Sequence, residues 1–293
     1  MAHTPFFSVI ITTYNRSSYL ADTLDAVLKQ SFENIEIIVI DDGSTDDTEY
    51  RVKQINDERL SYKKIDNWGG PARPRNVGIG AAKGSYLAFC DDDDVWEHEK
   101  LETLHDVIQQ QGANMLFSNV SYIDQHSKEI CCALKLKVPD VLPIRSDLLV
   151  LNNFITLSSC VVSRKLLGES RFIEDKRFIA AEDRILWHEL NTRSQIHYCP
   201  HPLVKYRKHI GGISFSRDVR HRLNCLTLDK LENEFGYNKD ILHLSKLIVD
   251  LKSQLGTSQY MDILLTGLKM LYFSLKYRKL RAMSTTVKNV SPF

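Results

Sequence analysis

Four consecutive carboxylates, Asp91 to Asp94, follow directly on the apolar residues 86–90. Such a short apolar segment is typical of a buried strand, so the acids would leave the core together at one strand end. Two carboxylates about 5 Å apart repel by about 3 kcal/mol at an effective dielectric near 20, so the cluster needs a cation. Mg²⁺ or Mn²⁺ is the natural candidate, because both prefer oxygen ligands. The alternative is a solvated acidic turn that caps a predicted helix over residues 97–110.

Two earlier apolar segments also end in polar residues. Residues 7–11 lead into 12–15, and residues 35–40 lead into 41–44, where Ser44 or Thr45 would cap the next helix. Strand and helix patterns alternate over residues 6–124, which predicts a mostly parallel sheet with helices on both faces. In such sheets the ligand binds beyond the carboxyl ends of the strands, and these polar residues lie there.

The remaining sequence divides into two regions. Residues 125–215 are mixed, with predicted strands at 161–162 and 203–207 and a predicted helix over 183–190. From residue 216 only helical periodicity remains, and it marks three helices around 223–231, 244–251 and 264–275. We therefore predict an α/β domain over residues 1–215, in halves 1–124 and 125–215, and a C-terminal helical region over 216–293.

The composition excludes several classes of protein. The chain has 293 residues and a net charge of +1, so no global field draws it to nucleic acid. The sequence shows no apolar run of membrane-spanning length and no signal peptide, which predicts a cytoplasmic location. Six cysteines without CxxC spacing are expected to be reduced thiols. A serine-hydrolase elbow is missing, and the glycines of residues 78–84 precede a strand, unlike those of a dinucleotide fingerprint.

Several blocks, each weak alone, together resemble glycosyltransferase family 2, whose members share the GT-A fold. They occur in the family's order over roughly the first 215 residues: 8–16, 38–46, 74–84, the DxD-type metal motif in 91–96, Glu182–Asp183 with Trp187, and 206–209 followed by Ser214. The resemblance implies a GT-A catalytic domain over residues 1–215, with a donor half and an acceptor half, and a C-terminal helical extension.

The resemblance also implies a donor site. Asp42 would accept the N3 proton of a uracil ring, and Thr12 and Tyr14 would line the base and ribose. Arg75 would be a cation of the donor site. Two of these roles have structural alternatives, since Tyr14 is also suited to plain packing and Arg75 to a surface ion pair.

Metal and catalytic roles follow from the same resemblance. Asp91 and Asp92 would hold the ribose or metal-bound water, and Asp93 would ligate Mn²⁺ or Mg²⁺, with a further metal or diphosphate contact from His209. Asp183 would be the general base. The alternatives are an acidic first turn of a helix for Asp183 and a structural hydrogen bond for His209. Asp92 departs from the family, where a small residue is common.

The resemblance therefore implies an inverting, metal-dependent glycosyltransferase. It would move a sugar from a UDP-sugar to a glycan, glycoprotein or lipid-linked acceptor, in the synthesis of a bacterial surface polysaccharide or glycoprotein glycan. One alternative is a nucleotidyltransferase, although the loop over residues 13–17 lacks the glycines that its phosphate site would need. Another is a non-catalytic module that only binds glycan or nucleotide sugar.

The C-terminal region carries a further expectation. Basic residues alternate there with apolar ones and no acid follows Asp262, as in Lys269, Lys276, Arg278, Lys279, Arg281 and Lys288. This pattern suits peripheral contact with an anionic membrane surface. The alternative is packing of these helices on the catalytic domain or in a homo-oligomer.

Overall fold

The computed structural model describes residues 4–133, 141–144, 146–151, 155–209, 217–235, 237 and 239–255. Its strands form one mixed sheet: β1 (Phe7–Thr13), β2 (Ile35–Asp41), β3 (Leu60–Lys64), β4 (Tyr86–Asp91), β5 (Val95–Trp96), β6 (Met115–Ile123), β7 (Glu129–Ala133), β8 (Leu142–Ile144), β9 (Cys160–Ser163) and β10 (Ile196–Arg207). The order is β3-β2-β1-β4-β9-β6-β10-β5, with β7 beside β6 and β8 beside β10.

Helices flank this sheet, and the last two of those described pack on other helices. They are α1 (Ser17–Leu28), α2 (Thr48–Lys53), α3 (Ala72–Ala81), α4 (Lys100–Gln111), α5 (Ser146–Leu151), α6 (Arg164–Leu167), α7 (Glu182–Asn191), α8 (Arg217–Glu234) and α9 (Lys239–Leu255). Single 3₁₀ turns occur at Leu157–Ser159 and Lys176–Phe178.

The predicted parallel pairing is confirmed in the first half of the sheet. Strand β1 pairs in parallel with β2 and β4, and β2 pairs in parallel with β3. In the second half, β9 is antiparallel to both β4 and β6, while β10 is parallel to β6 but antiparallel to β5 and β8. After α4 the hairpin of β6 and β7 has the short connection that antiparallel neighbours allow. Strand β9 instead follows a longer stretch that contains β7, β8 and α5, so its antiparallel pairing is not set by a short connection.

Both faces of the sheet are buried, which explains why its first strands are almost continuously apolar. In β2, Ile37 and Val39 face the core layer that contains α1 and α4, whereas Ile38 and Ile40 face the layer that contains α3 and α7. Trp187 of α7 lies fully inside this second layer. The strand ends are therefore held from both sides, and the loops that follow them are presented at one edge.

One predicted helix start is wrong. Helix α2 begins at Thr48, and neither Ser44 nor Thr45 caps it. The Ser44 hydroxyl instead accepts a hydrogen bond from the backbone N–H of Asn15 at 2.9 Å. The Asp46 carboxylate accepts the Thr48 N–H at 3.1 Å. A long-range contact between two loops has thus displaced the local capping interaction.

Helices α8 and α9 pack on each other and on the α/β part. Arg184 donates to Asn224 Oδ1 at 2.6 Å, and the Ser245 hydroxyl donates to the carbonyl of Val150 at 3.0 Å. The third predicted C-terminal helix, its basic residues and Ser214 lie outside the described residues. Of the helices within the described ranges, none combines the length and apolar character needed to cross a bilayer. The domain boundaries and the cytoplasmic location stay predictions.

Candidate active site

A cleft of about 1130 Å³ lies where β1, β2 and β4 end. It is lined by all nine residues for which the sequence predicted a role, namely Thr12, Tyr14, Asp42, Arg75, Asp91, Asp92, Asp93, Asp183 and His209. Parallel strands bring their carboxyl ends to the same edge, so residues far apart in sequence meet there. The sequence therefore located the cleft correctly, while the role of each residue stays a prediction.

The four consecutive acids do not all lie in the cleft. Asp91, Asp92 and Asp93 line the cleft, whereas Asp94 is fully buried away from it. The Asp94 carboxylate accepts the backbone N–H of Arg207 at 3.0 Å, which ties the acidic turn to the end of β10. Helix α4 has Glu99 at its N-cap and no side-chain capping bond, so the acids do not cap it.

Two arginines each bridge two carboxylates. Arg16 Nη1 lies 3.1 Å from Asp92 Oδ1 and 2.8 Å from Asp93 Oδ2. Arg75 binds Asp91 Oδ1 at 2.7 Å and Glu182 Oε1 at 2.5 Å. The partners of Arg75 belong to the cleft, so a surface ion pair is excluded for this residue. Each arginine thus faces two carboxylates, so negative groups outnumber positive ones around both arginines.

Asp93 is the meeting point of the charged groups. Its Oδ2 atom contacts His209 Nε2 at 2.8 Å as well as Arg16. Burial, and next the charge of Asp93, raise the pKa of Asp92 to about 7. A bound cation relieves this kind of crowding, and carboxylate oxygens are ligands that suit both Mg²⁺ and Mn²⁺. The residues present therefore fit the metal ion that the resemblance implies.

Asp42 is held by the loop that follows β3. Its carboxylate accepts the backbone N–H groups of Trp68 at 2.9 Å and Gly69 at 3.1 Å, and its carbonyl accepts Asn67 Nδ2 at 2.7 Å. Gly43 has φ +79°, and a Cβ there would lie 2.9 Å from the nitrogen of Asn67, so only glycine permits this close approach. An ionised carboxylate offers about four acceptor positions, so Asp42 can still accept from a ligand.

The loop after β1 presents Tyr14 to solvent. Asn15 has φ +51°, and its side-chain oxygen accepts the backbone N–H of Thr45 at 2.7 Å. This contact joins the loops after β1 and β2. Tyr14 is 48% exposed at the cleft, which excludes burial in the core as its role, whereas Thr12 is buried at the strand end.

Asp183 lies in the first turn of α7 and has a perturbed pKa. Its neighbour Glu182 is fixed by Arg75 and by the backbone N–H of Ala181 at 3.1 Å. Burial, and next the charge of Glu182, raise the pKa of Asp183 to about 7. Ala180 adopts the left-handed φ of +72° directly before this turn. A carboxyl group with a pKa near neutrality has the property that a general base needs.

Comparison with known proteins gives the family. The family model described as "Glycosyl transferase family 2" matches residues 8–146. "Glycosyltransferase GlyG" of Streptococcus pneumoniae is 28% identical over 232 residues, which are 72% of this chain and 76% of GlyG. The chain belongs to glycosyl transferase family 2.

Two further proteins resemble this family 2 glycosyltransferase. The Escherichia coli "UDP-Glc:alpha-D-GlcNAc-diphosphoundecaprenol beta-1,3-glucosyltransferase WfgD" is 29% identical over 213 residues, which are 72% of this chain and 80% of WfgD. The crystal structure of S. aureus TarS 1-349 in complex with UDP-GlcNAc matches with a TM-score of 0.67 at 20% identity. That match covers 89% of this chain and 79% of TarS 1-349, and it confirms the GT-A fold.

Three charged residues of this family 2 glycosyltransferase received no individual role from the sequence. All three lie inside the sequence blocks that resemble the family, and for Arg16 the nearby row of acids was a further signal. Arg207 had no further signal, because its partners are spread along the chain. Its guanidinium donates to the carbonyl of Asp93 at 2.8 Å and to Ser127 Oγ at 2.8 Å.

Proposed function

We propose that this glycosyltransferase transfers a sugar from a UDP-sugar to an acceptor hydroxyl with inversion at the anomeric carbon. One observation carries the proposal: a single cleft holds Asp42, the acidic end of β4 and Asp183. These supply a partner for the base, a place for the charged leaving group and a proton acceptor. The name of WfgD, with a UDP-Glc donor and a lipid-linked diphosphate acceptor, supports this choice of substrates. Synthesis of a bacterial surface polysaccharide is the role we infer.

Asp42 would select uridine among nucleotides. Its two backbone hydrogen bonds, from Trp68 and Gly69, fix the carboxylate in the cleft, and free lone pairs remain. The N3–H of uracil can donate to such a carboxylate. The N3 atom of cytosine is an acceptor and would be repelled, so cytidine nucleotides are the sharpest comparison. Tyr14, exposed beside this position, would cover the face of the base.

Asp93 and His209 would hold Mn²⁺ or Mg²⁺, and the ion would neutralise the diphosphate leaving group. Arg16 keeps Asp92 and Asp93 in place through its two short contacts. Arg75 does the same for Asp91, so this acid is available to the ribose in a fixed position. These arginines therefore position the acidic residues.

Asp183 would take the proton of the acceptor hydroxyl. The acceptor oxygen would form its bond to the anomeric carbon as the bond to the diphosphate oxygen breaks on the opposite side, and this gives inversion. Arg75 already binds the neighbouring Glu182, so Glu182 is engaged in holding the turn. The pKa of Asp183, about 7, allows the carboxylate to accept the proton near neutral pH.

The test is a donor screen with the full chain. Nucleoside diphosphate release would be measured for UDP-, GDP- and CDP-linked sugars in Mn²⁺. Each donor would be tested with and without EDTA and, separately, with and without a lipid-linked diphosphate sugar as the acceptor. We expect release from a UDP-sugar only with the cation, and a large loss in Asp183→Asn. Pyrophosphate release from a nucleoside triphosphate would instead indicate a nucleotidyltransferase, and binding without turnover would indicate a binding module.

A further inference from the structure

A second group of charged and sulfur-bearing side chains lies between α8 and α9. His221 and Cys225 are four residues apart on α8 and share one face of that helix, and Asp250 comes from α9. Cys225 Sγ is 3.7 Å from His221 Nε2, and Asp250 Oδ1 is 3.9 Å from the same nitrogen. One ligand atom from each residue lies within 4.8 Å of the other two. None of the three lines the active-site cleft.

We propose that His221, Cys225 and Asp250 form a second metal site, which takes Zn²⁺ and ties α8 to α9. Zn²⁺ binds its nitrogen, oxygen and sulfur ligands at about 2.0–2.3 Å, so neighbouring ligand atoms on a tetrahedron are about 3.3–3.8 Å apart. The two separations from the imidazole nitrogen need to shorten by up to about 0.6 Å, and the thiol and the Asp250 carboxylate, which lie within 4.8 Å of each other, by up to about 1 Å. A thiolate beside an imidazole favours zinc over Mg²⁺ or Ca²⁺, which prefer oxygen ligands.

The charges around the thiol agree with a cation site. Burial, and next the negative charges of Asp250 and Asp229, raise the pKa of Cys225. The thiol is therefore protonated in the metal-free chain, and binding of Zn²⁺ would release that proton. Lys246 faces the same surface, where it binds Asp229 Oδ1 at 2.9 Å and Glu232 Oε2 at 2.7 Å. Asp229 lies one turn beyond Cys225 but is held by Lys246, so water would complete the tetrahedron.

A metal ion here would stabilise a small part of the molecule. The third apolar cluster, which joins α5, α8 and α9, contains Val150, Leu228, Leu231, Ile241, Leu242 and Ile248. It is much smaller than the two clusters on the sheet. A cross-link between His221 and Asp250 closes a long loop, and such links reduce the entropy of the unfolded chain. Zinc would therefore be structural and independent of the cation at Asp93.

Co²⁺ is the probe for this site, because a cobalt–thiolate bond gives a charge-transfer absorption that carboxylates do not give. The full chain would be titrated with Co²⁺ and then with Zn²⁺, which should displace cobalt and remove the band. Cys225→Ser should abolish the band. His221→Ala should weaken cobalt binding by at least about tenfold, because loss of a residue that only hydrogen-bonds a metal ligand already costs about that much affinity. His243→Ala is the matched control, since His243 is exposed on α9 outside the cluster and its loss should change nothing.

A second readout separates binding from folding. Circular dichroism of each variant without metal should match that of the unmutated chain. Zn²⁺ should raise the thermal midpoint of the unmutated chain and of His243→Ala by more than that of Cys225→Ser, in which only the cation site at Asp93 remains. The proposal is overturned if Co²⁺ gives no thiolate band, if the band survives in Cys225→Ser, or if Zn²⁺ stabilises Cys225→Ser as much as the unmutated chain.

Discussion

The pH dependence of sugar transfer should be governed by Asp183. Burial and the charge of Glu182 raise the pKa of Asp183 from 3.8 to about 7. Only the ionised carboxylate can accept a proton, so kcat/KM should increase with pH through about 7 and then level off. One pH unit below its pKa a carboxyl group is only about a tenth ionised, so turnover should fall about tenfold there. Asp183→Asn should lower kcat by about 10²–10⁴, the usual contribution of a general base.

The assay is nucleoside diphosphate release at saturating cation, measured on both sides of neutral pH. The pKa of Asp92 is also raised to about 7, but a cation bound beside this acid would lower it. Asp92→Asn is therefore the control and should keep the same pH profile. Donor affinity of Asp183→Asn should match that of the unmutated chain. The reasoning is refuted if Asp183→Asn keeps the unmutated pH profile and rate, or if its donor affinity falls in step with turnover.

Three further predictions concern the acidic end of β4. Asp93→Asn should abolish cation-dependent turnover while circular dichroism stays unchanged, and residual activity that EDTA still removes would argue against Asp93 as the main ligand. The pKa of Asp92 is raised in the folded chain, so without metal the ionisation of this acid destabilises the fold. The free energy of unfolding in urea should therefore fall as the pH rises from about 4 to about 7, and it should fall less in Asp92→Asn. Arg16→Ala leaves Asp92 and Asp93 without their shared cation, and it should lower the free energy of unfolding measured without metal. Loss of one partner from a fully buried ion pair costs about 3–5 kcal/mol, and the cost here should be smaller because Arg16 is partly exposed. Mn²⁺ should restore more stability to Arg16→Ala than to the unmutated chain, and an equal gain in both would contradict the shared charge.

The position of the cleft could be predicted because it follows from strand periodicity and topology. Apart from Glu36, residues 35–40 and 86–90 are apolar on both faces, which indicates buried parallel strands, and acids follow each segment directly. Parallel strands point their carboxyl ends to one edge, so Asp42 and Asp91 had to meet. Glu182–Asp183 came from the family resemblance alone, because nothing local places that turn near β4.

The contacts that hold the acids could not be predicted from local pattern. Arg75 joins Asp91 to Glu182, and these partners are 16 and 107 residues away in the sequence. Strand β9 is short and could pair at several places, yet it lies between β4 and β6, where both partners are antiparallel to it. The packing of the whole sheet decides such pairing, because the intrinsic strand preference of a four-residue segment is weak.

Calorimetric titration of UDP tests the central claim most directly, because it needs neither the sugar nor the acceptor. We predict that the full chain binds UDP with Mn²⁺ and much more weakly in EDTA, and that CDP binds weakly in both. Asp42→Ala should weaken UDP binding by about 1–3 kcal/mol, as expected for loss of a hydrogen bond to a charged group. Equal binding of UDP and CDP, unaffected by EDTA and by Asp42→Ala, would contradict the account.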